Sequence, residues 1–225
     1  MINNNTAFGL EEGEDKDLLS FYWFKGGFSS PECDKIINIA RRFPRETGTT
    51  FGDVVEPPQA TIEETPLTGF STPLAVQPSL PAPNPPKYRD SKLRWMPLEE
   101  DTQFIFDKIR TCCLEANKEL FKLDLAGFTE DLQFTEYEGA GKHYDWHPDI
   151  GGGKNKRKLS VVIQLSDPDD YTGGDLILNT GHEIVMERGR GNIIIFPSFL
   201  LHKVSKMKSG NRYSIVSWVS GTPWR

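Results

Sequence analysis

Tyr137-Glu-Gly-Ala-Gly-Lys-His143-Tyr-Asp145-Trp-His147-Pro-Asp149 is the stretch on which the reading of this chain turns. Two of the four histidines of the sequence stand here inside His-X-Asp triplets, His143-Tyr-Asp145 and His147-Pro-Asp149. In a strand, residues two apart point to the same face. Either triplet can therefore present an imidazole nitrogen and a carboxylate to one point. A second histidine from a distant strand would complete a set of two histidines and one carboxylate with open coordination positions, which suits non-haem Fe(II). His143, Asp145, His147 and Asp149 share parity, so strand periodicity leaves both triplets in play.

Outward from this stretch the pattern is of short strands separated by Gly, Pro and Asp turns. Strands are predicted at 131–138, 142–149, 157–166, 174–178, 182–187, 191–196, 202–206 and 211–219, a spacing that suggests a sandwich or barrel. On the N-terminal side lies a predicted helix from about Asp101 to Phe121, with Phe104, Ile105, Ile109, Cys112, Leu114 and Ala116 as its apolar face. Lys87 to Trp95 reads as one strand, and Leu19 to Phe24 as an aromatic strand. Ser29-Ser30-Pro31-Glu32 is a helix start, with a serine cap and proline in the first turn, continued by a stripe of Ile36, Ile37 and Ala40. Helices come first and a β-core of about 130–222 follows.

Between Pro44 and Pro86 the character changes, for most of the sixteen prolines lie there, mixed with Thr, Gly and acidic residues. That composition favours extended or disordered chain, either as a plain surface insert or as a loop folding over a substrate. Residues 1–17 read as a flexible acidic tail. At 225 residues the chain suits one domain, 18–225, carrying that insert. The net charge of −6 argues against a polyanion binder relying on bulk charge, so no nucleic-acid partner is expected. No apolar run is long enough for a membrane helix, and the N-terminus lacks a secretory signal. Three cysteines are too few for a disulfide framework. The expectation is a soluble, intracellular, cytoplasmic protein.

The opening stretch resembles the Tyr-x-x-Gly…Tyr-x-x-His-x-Asp signature of the prolyl 4-hydroxylase branch of the 2-oxoglutarate/Fe(II) oxygenases, and is similar above all to PKHD-type hydroxylases. Leu201-His202-Lys-Val204 follows the strand Asn192–Phe196, and ten residues after His202 comes Arg212-Tyr-Ser214. The family places its distal metal histidine and its basic cosubstrate anchor in that relation. Tyr171-Thr-Gly-Gly174-Asp-Leu176 also resembles a turn of the family. The resemblance covers about residues 88–222.

The resemblance implies an α+β fold, a double-stranded β-helix (jelly-roll) core with N-terminal helices packed on one sheet. It selects His147 and Asp149 over His143 and Asp145, adds His202 as third metal ligand, and makes these three the catalytic set. It assigns Tyr137, Arg212 and Ser214 to 2-oxoglutarate, the guanidinium gripping a carboxylate through two charge-assisted hydrogen bonds; Gln164 falls where some relatives place a further cosubstrate-binding side chain. The implied cofactors are Fe(II), 2-oxoglutarate and O2, with L-ascorbate to keep the iron reduced. The implied reaction is hydroxylation of a C–H bond, first of a prolyl residue in a peptide or protein, with 2-oxoglutarate converted to succinate and CO2. A free amino acid or other small-molecule substrate, and a non-catalytic metal-binding jelly-roll module, are the alternatives.

Overall fold

The computed structural model describes residues 21–48, 87–150 and 156–224. The tail, the first residues of the aromatic strand and most of the Pro-rich stretch lie outside the described residues. In chain order the elements are β1 (Tyr22–Phe24), α1 (Ser30–Ala40), β2 (Glu46–Thr47), β3 (Arg89–Asp90), β4 (Lys92–Met96), α2 (Gln103–Ala116), β5 (Leu125–Phe128), β6 (Leu132–Glu138) and β7 (His143–His147). Then come β8 (Arg157–Gln164), β9 (Tyr171–Thr172), β10 (Leu176–Asn179), β11 (Glu183–Val185), β12 (Ile193–Pro197), β13 (His202–Val204) and β14 (Ser209–Gly221).

The strands form two sheets among the described residues. The larger has nine strands in the order β1-β12-β8-β14-β6-β4-β2, with β5 and β9 also paired to β14; the smaller runs β11-β10-β13-β7-β3. Every pairing is antiparallel.

Strand alternation divides the large sheet into two faces. Phe134 of β6, Leu159, Val161 and Ile163 of β8, Ile193 and Ile195 of β12, and Ile215 and Val219 of β14 join one hydrophobic cluster. That cluster also holds Ile36, Ile37 and Ala40 of α1 and Ile105, Phe106, Ile109 and Cys113 of α2. Their neighbours in sequence face the other way. Val162, Ile194 and Phe196 pack with Leu176, Leu178 and Leu200 between the two sheets. The short strand β1 serves both, with Tyr22 and Phe24 in the helix-side cluster and Phe21 and Trp23 against the inter-sheet one.

Helix α1 starts as its sequence predicts. Ser29 accepts a hydrogen bond from the Glu32 backbone N–H, and the Glu32 carboxylate accepts one from the Ser29 N–H at 2.8 Å, so two otherwise orphaned donors are satisfied. The buried stripe of α2 is Ile105, Phe106, Ile109, Cys113 and Ala116. Leu114, expected on the apolar face, is exposed instead, because one helical step of about 100° carries it off the 105–109–113 line. The predicted C-terminal portion, Asn117–Phe121, is a π-helical turn.

The expected single strand from Lys87 to Trp95 is two. Arg89 and Asp90 pair with Tyr144 and His143 in the small sheet, whereas Lys92 to Met96 pair with Glu136 to Leu132 in the large one. Ser91 is where the chain changes sheets. Glu46 and Thr47, inside the Pro-rich stretch, pair with Leu93 and Lys92.

Candidate active site

The two sheets enclose a cavity of about 670 Å3. Its floor on the large sheet is the polar alternate of the strands just described: Gln133, Thr135 and Tyr137 of β6 and Arg212, Ser214, Val216 and Trp218 of β14. Tyr137 and Arg212 are direct cross-strand partners, as are Ser214 and Gln164. The small sheet supplies Tyr144 and His147 of β7, Leu176 of β10, and His202 and Val204 of β13.

His147 and His202 are opposite each other across the β7–β13 ladder, with ring centroids 4.2 Å apart. Strand β7 stops at His147, because Pro148 has no N–H to continue the ladder. Asp149 is held beyond it, its backbone N–H donating to the Ser198 carbonyl at 2.8 Å. One ligand atom from each of His147, Asp149 and His202 lies within 4.8 Å of the others, and all three side chains are buried. His147 Nε2 is 3.8 Å from one carboxylate oxygen of Asp149, and His202 Nε2 is 3.5 Å from the other.

The far ring nitrogens determine the tautomers. His147 Nδ1 is 2.7 Å from the Asp145 carbonyl and His202 Nδ1 is 2.9 Å from that of Leu200. A carbonyl only accepts, so Nδ1 carries the proton in both rings and each Nε2 lone pair faces the carboxylate. Burial, with the nearby His202, pushes the His147 pKa down to about 3, so the ring is neutral. For Asp149 burial acts to raise the pKa, but His202 and His147, the Ser160 hydroxyl and the Trp218 indole outweigh it and hold the carboxyl below its ordinary value. Ser160 donates to Asp149 Oδ2 at 2.6 Å. Two neutral imidazoles and one carboxylate converging in a buried pocket form a donor set that fits a divalent first-row metal.

The structure also shows why parity left two triplets open. Between the His202–His147 and Val204–Tyr144 pairs the register shifts, so β7 spends three steps where β13 spends two, as in a β-bulge. The alternation therefore reverses within β7. Tyr144 and His147 come to the same side, their rings stacked with centroids 3.5 Å apart. His143, expected to share the face of His147, is instead tied down outside the cavity by the carbonyls of Gly141 and Lys87. Asp145 is exposed and accepts from the Trp146 N–H.

Arg212 is 1 % exposed and belongs to no ion pair among the described residues. One guanidinium nitrogen donates to Gln164 Oε1 at 2.8 Å, another lies 3.5 Å from Ser214 Oγ, and Nε is buried without a partner. Gly174, at φ +65°, lies against its stem; a Cβ there would be 3.3 Å from Arg212 Cδ. A buried guanidinium with unsatisfied donors and no carboxylate is a socket for an anion. Tyr137 stands beside it, the Arg212 guanidinium carbon 5.5 Å from the ring centroid. Burial pushes the Tyr137 phenol up, against the pull of Arg89 and Arg212, so it is a neutral hydrogen-bond donor. His182 is exposed in a turn, and Trp218 lines the cavity with the Arg157 guanidinium 3.6 Å from its ring centroid. Sequence reasoning missed Ser160, Tyr144 and Arg89. Ser160 lay in a predicted strand with the parity of Gln164, but nothing marked it as the partner of Asp149.

Comparison with known proteins agrees with this geometry. Residues 132–220 match the model of the 2OG-Fe(II) oxygenase superfamily. A PKHD-type hydroxylase of Synechococcus sp. (strain CC9605) is 41 % identical over 83 residues, 36 % of this chain and 37 % of that protein. In fold the chain is similar to a prolyl-4-hydroxylase of Pseudomonas putida, with a TM-score of 0.58 and 18 % identity over 90 % of this chain and 92 % of that one. It is also similar to a prolyl hydroxylase of Trichoplax adhaerens solved with a hypoxia inducible factor peptide fragment, with a TM-score of 0.64 and 17 % identity over 90 % and 84 %. The fold is the jelly roll of prolyl 4-hydroxylase-type oxygenases. Residues 132–220, which carry most of the cavity, are thus similar to the 2OG-Fe(II) oxygenase superfamily. In sequence the chain is similar to PKHD-type hydroxylases, and in fold to prolyl 4-hydroxylases. It spans between 37 % and 48 % of the length of the curated relatives it matches.

Proposed function

We propose that the protein is an Fe(II)- and 2-oxoglutarate-dependent dioxygenase that hydroxylates a C–H bond of a prolyl residue in a peptide or protein. The observation that carries this reading is the meeting of His147, Asp149 and His202 in the same cavity as the anion-seeking Arg212. A metal site without a dicarboxylate anchor would suit many functions, and the two together suit far fewer. The prolyl substrate rests on the kinship with PKHD-type and prolyl-hydroxylase proteins.

His147 and His202 would hold Fe(II) through Nε2 and Asp149 through a carboxylate oxygen. Bound there, the metal with 2-oxoglutarate and O2 supplies oxidative chemistry in which 2-oxoglutarate becomes succinate and CO2 while the substrate C–H becomes C–OH. The protein's part is orientation. The two carbonyl-bound Nδ1 protons keep the imidazoles turned to the metal, and Ser160 fixes the Asp149 oxygen that faces it. Arg212 takes one carboxylate of 2-oxoglutarate through parallel N–H donors, with Ser214 and Tyr137 donating from the same face. The apolar wall of Leu176, Val162 and Val216 keeps water from the reacting centre. Helices α1 and α2, backing the large sheet, would hold its strands rigid beneath these groups.

The test is succinate formation from 2-oxoglutarate in the presence of Fe(II), ascorbate and a panel of proline-containing peptides, with product detected as a +16 mass shift. Asp149→Ala should abolish both succinate and product. A metal-binding protein with no turnover on any peptide or small molecule would instead be the non-catalytic module.

A further inference from the structure

The cavity holds a second buried guanidinium that the assignments above do not use. Arg89, on β3, is 7 % exposed and lines the cavity. Its Nε donates to Ser91 Oγ at 2.8 Å, whereas Nη2 is buried with no hydrogen-bond partner. No carboxylate among the described residues forms an ion pair with it. Arg157, by contrast, also lines the cavity but is neutralised by Glu130. Lys142, just before β7, is paired with Asp90. Glu46 lines the cavity from β2, exposed, and makes no ion pair with Arg89.

Arg89 is placed as deliberately as Arg212. It pairs with Tyr144 across the ladder, and its guanidinium carbon stands 4.4 Å from the Tyr144 ring centroid. Tyr144 in turn stacks on His147. The guanidinium is thus the outer layer of a stack in which Tyr144 is the middle layer and His147, a proposed metal ligand, the inner one. Gly48 makes room for it: a Cβ there would come within 2.7 Å of both Arg89 Nε and Ser91 Oγ. Tyr137 lies under the influence of Arg89 and Arg212 together, so the two cations share one cavity.

Charge balance then says what is missing, on the reading of the site given above. A ferrous ion and Arg212 bring three positive charges, and Asp149 with 2-oxoglutarate brings three negative ones. Among the buried charges of the described residues these cancel, and Arg89 is left over behind Tyr144, its Nη2 without a partner. A buried cation of that kind calls for an anionic partner, and a planar guanidinium with free N–H donors matches a carboxylate. We infer that Arg89 binds a carboxylate of the primary substrate, so that the substrate class is carboxylate-bearing: an acidic residue beside the hydroxylated one, or a free α-carboxylate.

The test uses the protein loaded with Mn(II) and 2-oxoglutarate, so that binding is read without turnover. It is titrated calorimetrically with matched acid and amide pairs: blocked tetrapeptides containing Pro-Glu or Pro-Gln, and L-proline or L-prolinamide. At least one acid should bind about tenfold or more tightly than its amide, as loss of a charge-assisted hydrogen bond implies. Arg89→Gln should bring that ratio below about twofold while leaving 2-oxoglutarate affinity within about threefold. Arg89→Lys, which keeps the charge, should retain part of the preference and controls for misfolding. The inference is overturned if no pair shows an acid preference in the unaltered protein. It is equally overturned if Arg89→Gln weakens 2-oxoglutarate as much as Arg212→Gln does. Failure of the oxygenase reading would look different: no succinate under any condition, with the acid preference and its dependence on Arg89 intact.

Discussion

The two faces of the large sheet are made by the same strands and are opposite in character. On one side, Phe134, Leu159, Val161, Ile163 and Ile215, all fully buried, pack against the two helices. On the other, one residue along each strand, Thr135, Ser160, Gln164, Arg212 and Ser214 are just as buried but polar. The helix-side face removes hydrocarbon from water at about 25 cal/mol per Å2 and is where stability is generated. The cavity-side face keeps donors and a charge in a low-dielectric space, where electrostatic interactions are strong and unpaired groups are costly. Stability and chemistry are thus separated by a single step of the backbone.

That contrast can be broken at several points. The largest effect is expected at the metal set: His202→Ala should abolish stoichiometric binding of Fe(II) or Mn(II), measured calorimetrically, while circular dichroism shows the sheet intact. A variant that still takes up one metal ion per chain would sink the assignment. On the helix side the signs reverse. Ile215→Ala, one residue from Ser214, should lower unfolding stability by about 2–5 kcal/mol, seen in denaturant melts. Metal and 2-oxoglutarate affinities of the folded fraction should stay unchanged.

Arg212→Gln sharpens the comparison further, because binding and stability should move in opposite directions. Losing charged hydrogen bonds worth about 1.5–3 kcal/mol should weaken 2-oxoglutarate roughly ten- to hundredfold. The same change removes a buried, incompletely satisfied cation, so the melting temperature without 2-oxoglutarate should rise. A fall in both would make Arg212 a structural residue. The change expected to disturb the fold least is Ser160→Ala, which removes the hydrogen bond to Asp149. Metal affinity should drop about 10–100-fold with little change in melting temperature, and equal affinity would show that Ser160 does not position the carboxylate.

Some of this site was legible in the sequence and some was not, for reasons visible in particular residues. Tyr137, Arg212, Ser214 and Gln164 fall on one face because β6, β8 and β14 keep their alternation, as period-two counting assumes. Counting failed in β7, where a bulge reverses the alternation between Tyr144 and His147, and a bulge has no signature in a stretch with so many polar and aromatic residues. It failed also at Lys87–Trp95. That run looks continuous, yet Ser91 hands the chain from one sheet to the other, which depends on where the partner strands lie.

The sequence by itself determined most element types, the helix cap at Ser29, the alternating faces of the long strands, and the candidate side chains for a metal and a dicarboxylate. Those are consequences of local backbone geometry and of chemical type, which need no knowledge of distant neighbours. Only the tertiary structure decided how β7 turns the His147-Pro-Asp149 triplet inward, that Ser160 holds Asp149, and that Arg89 stands behind Tyr144 with no ion pair among the described residues. Each of those depends on contacts between residues far apart in the chain, and pairing, burial and charge compensation exist only once the two sheets have closed on each other.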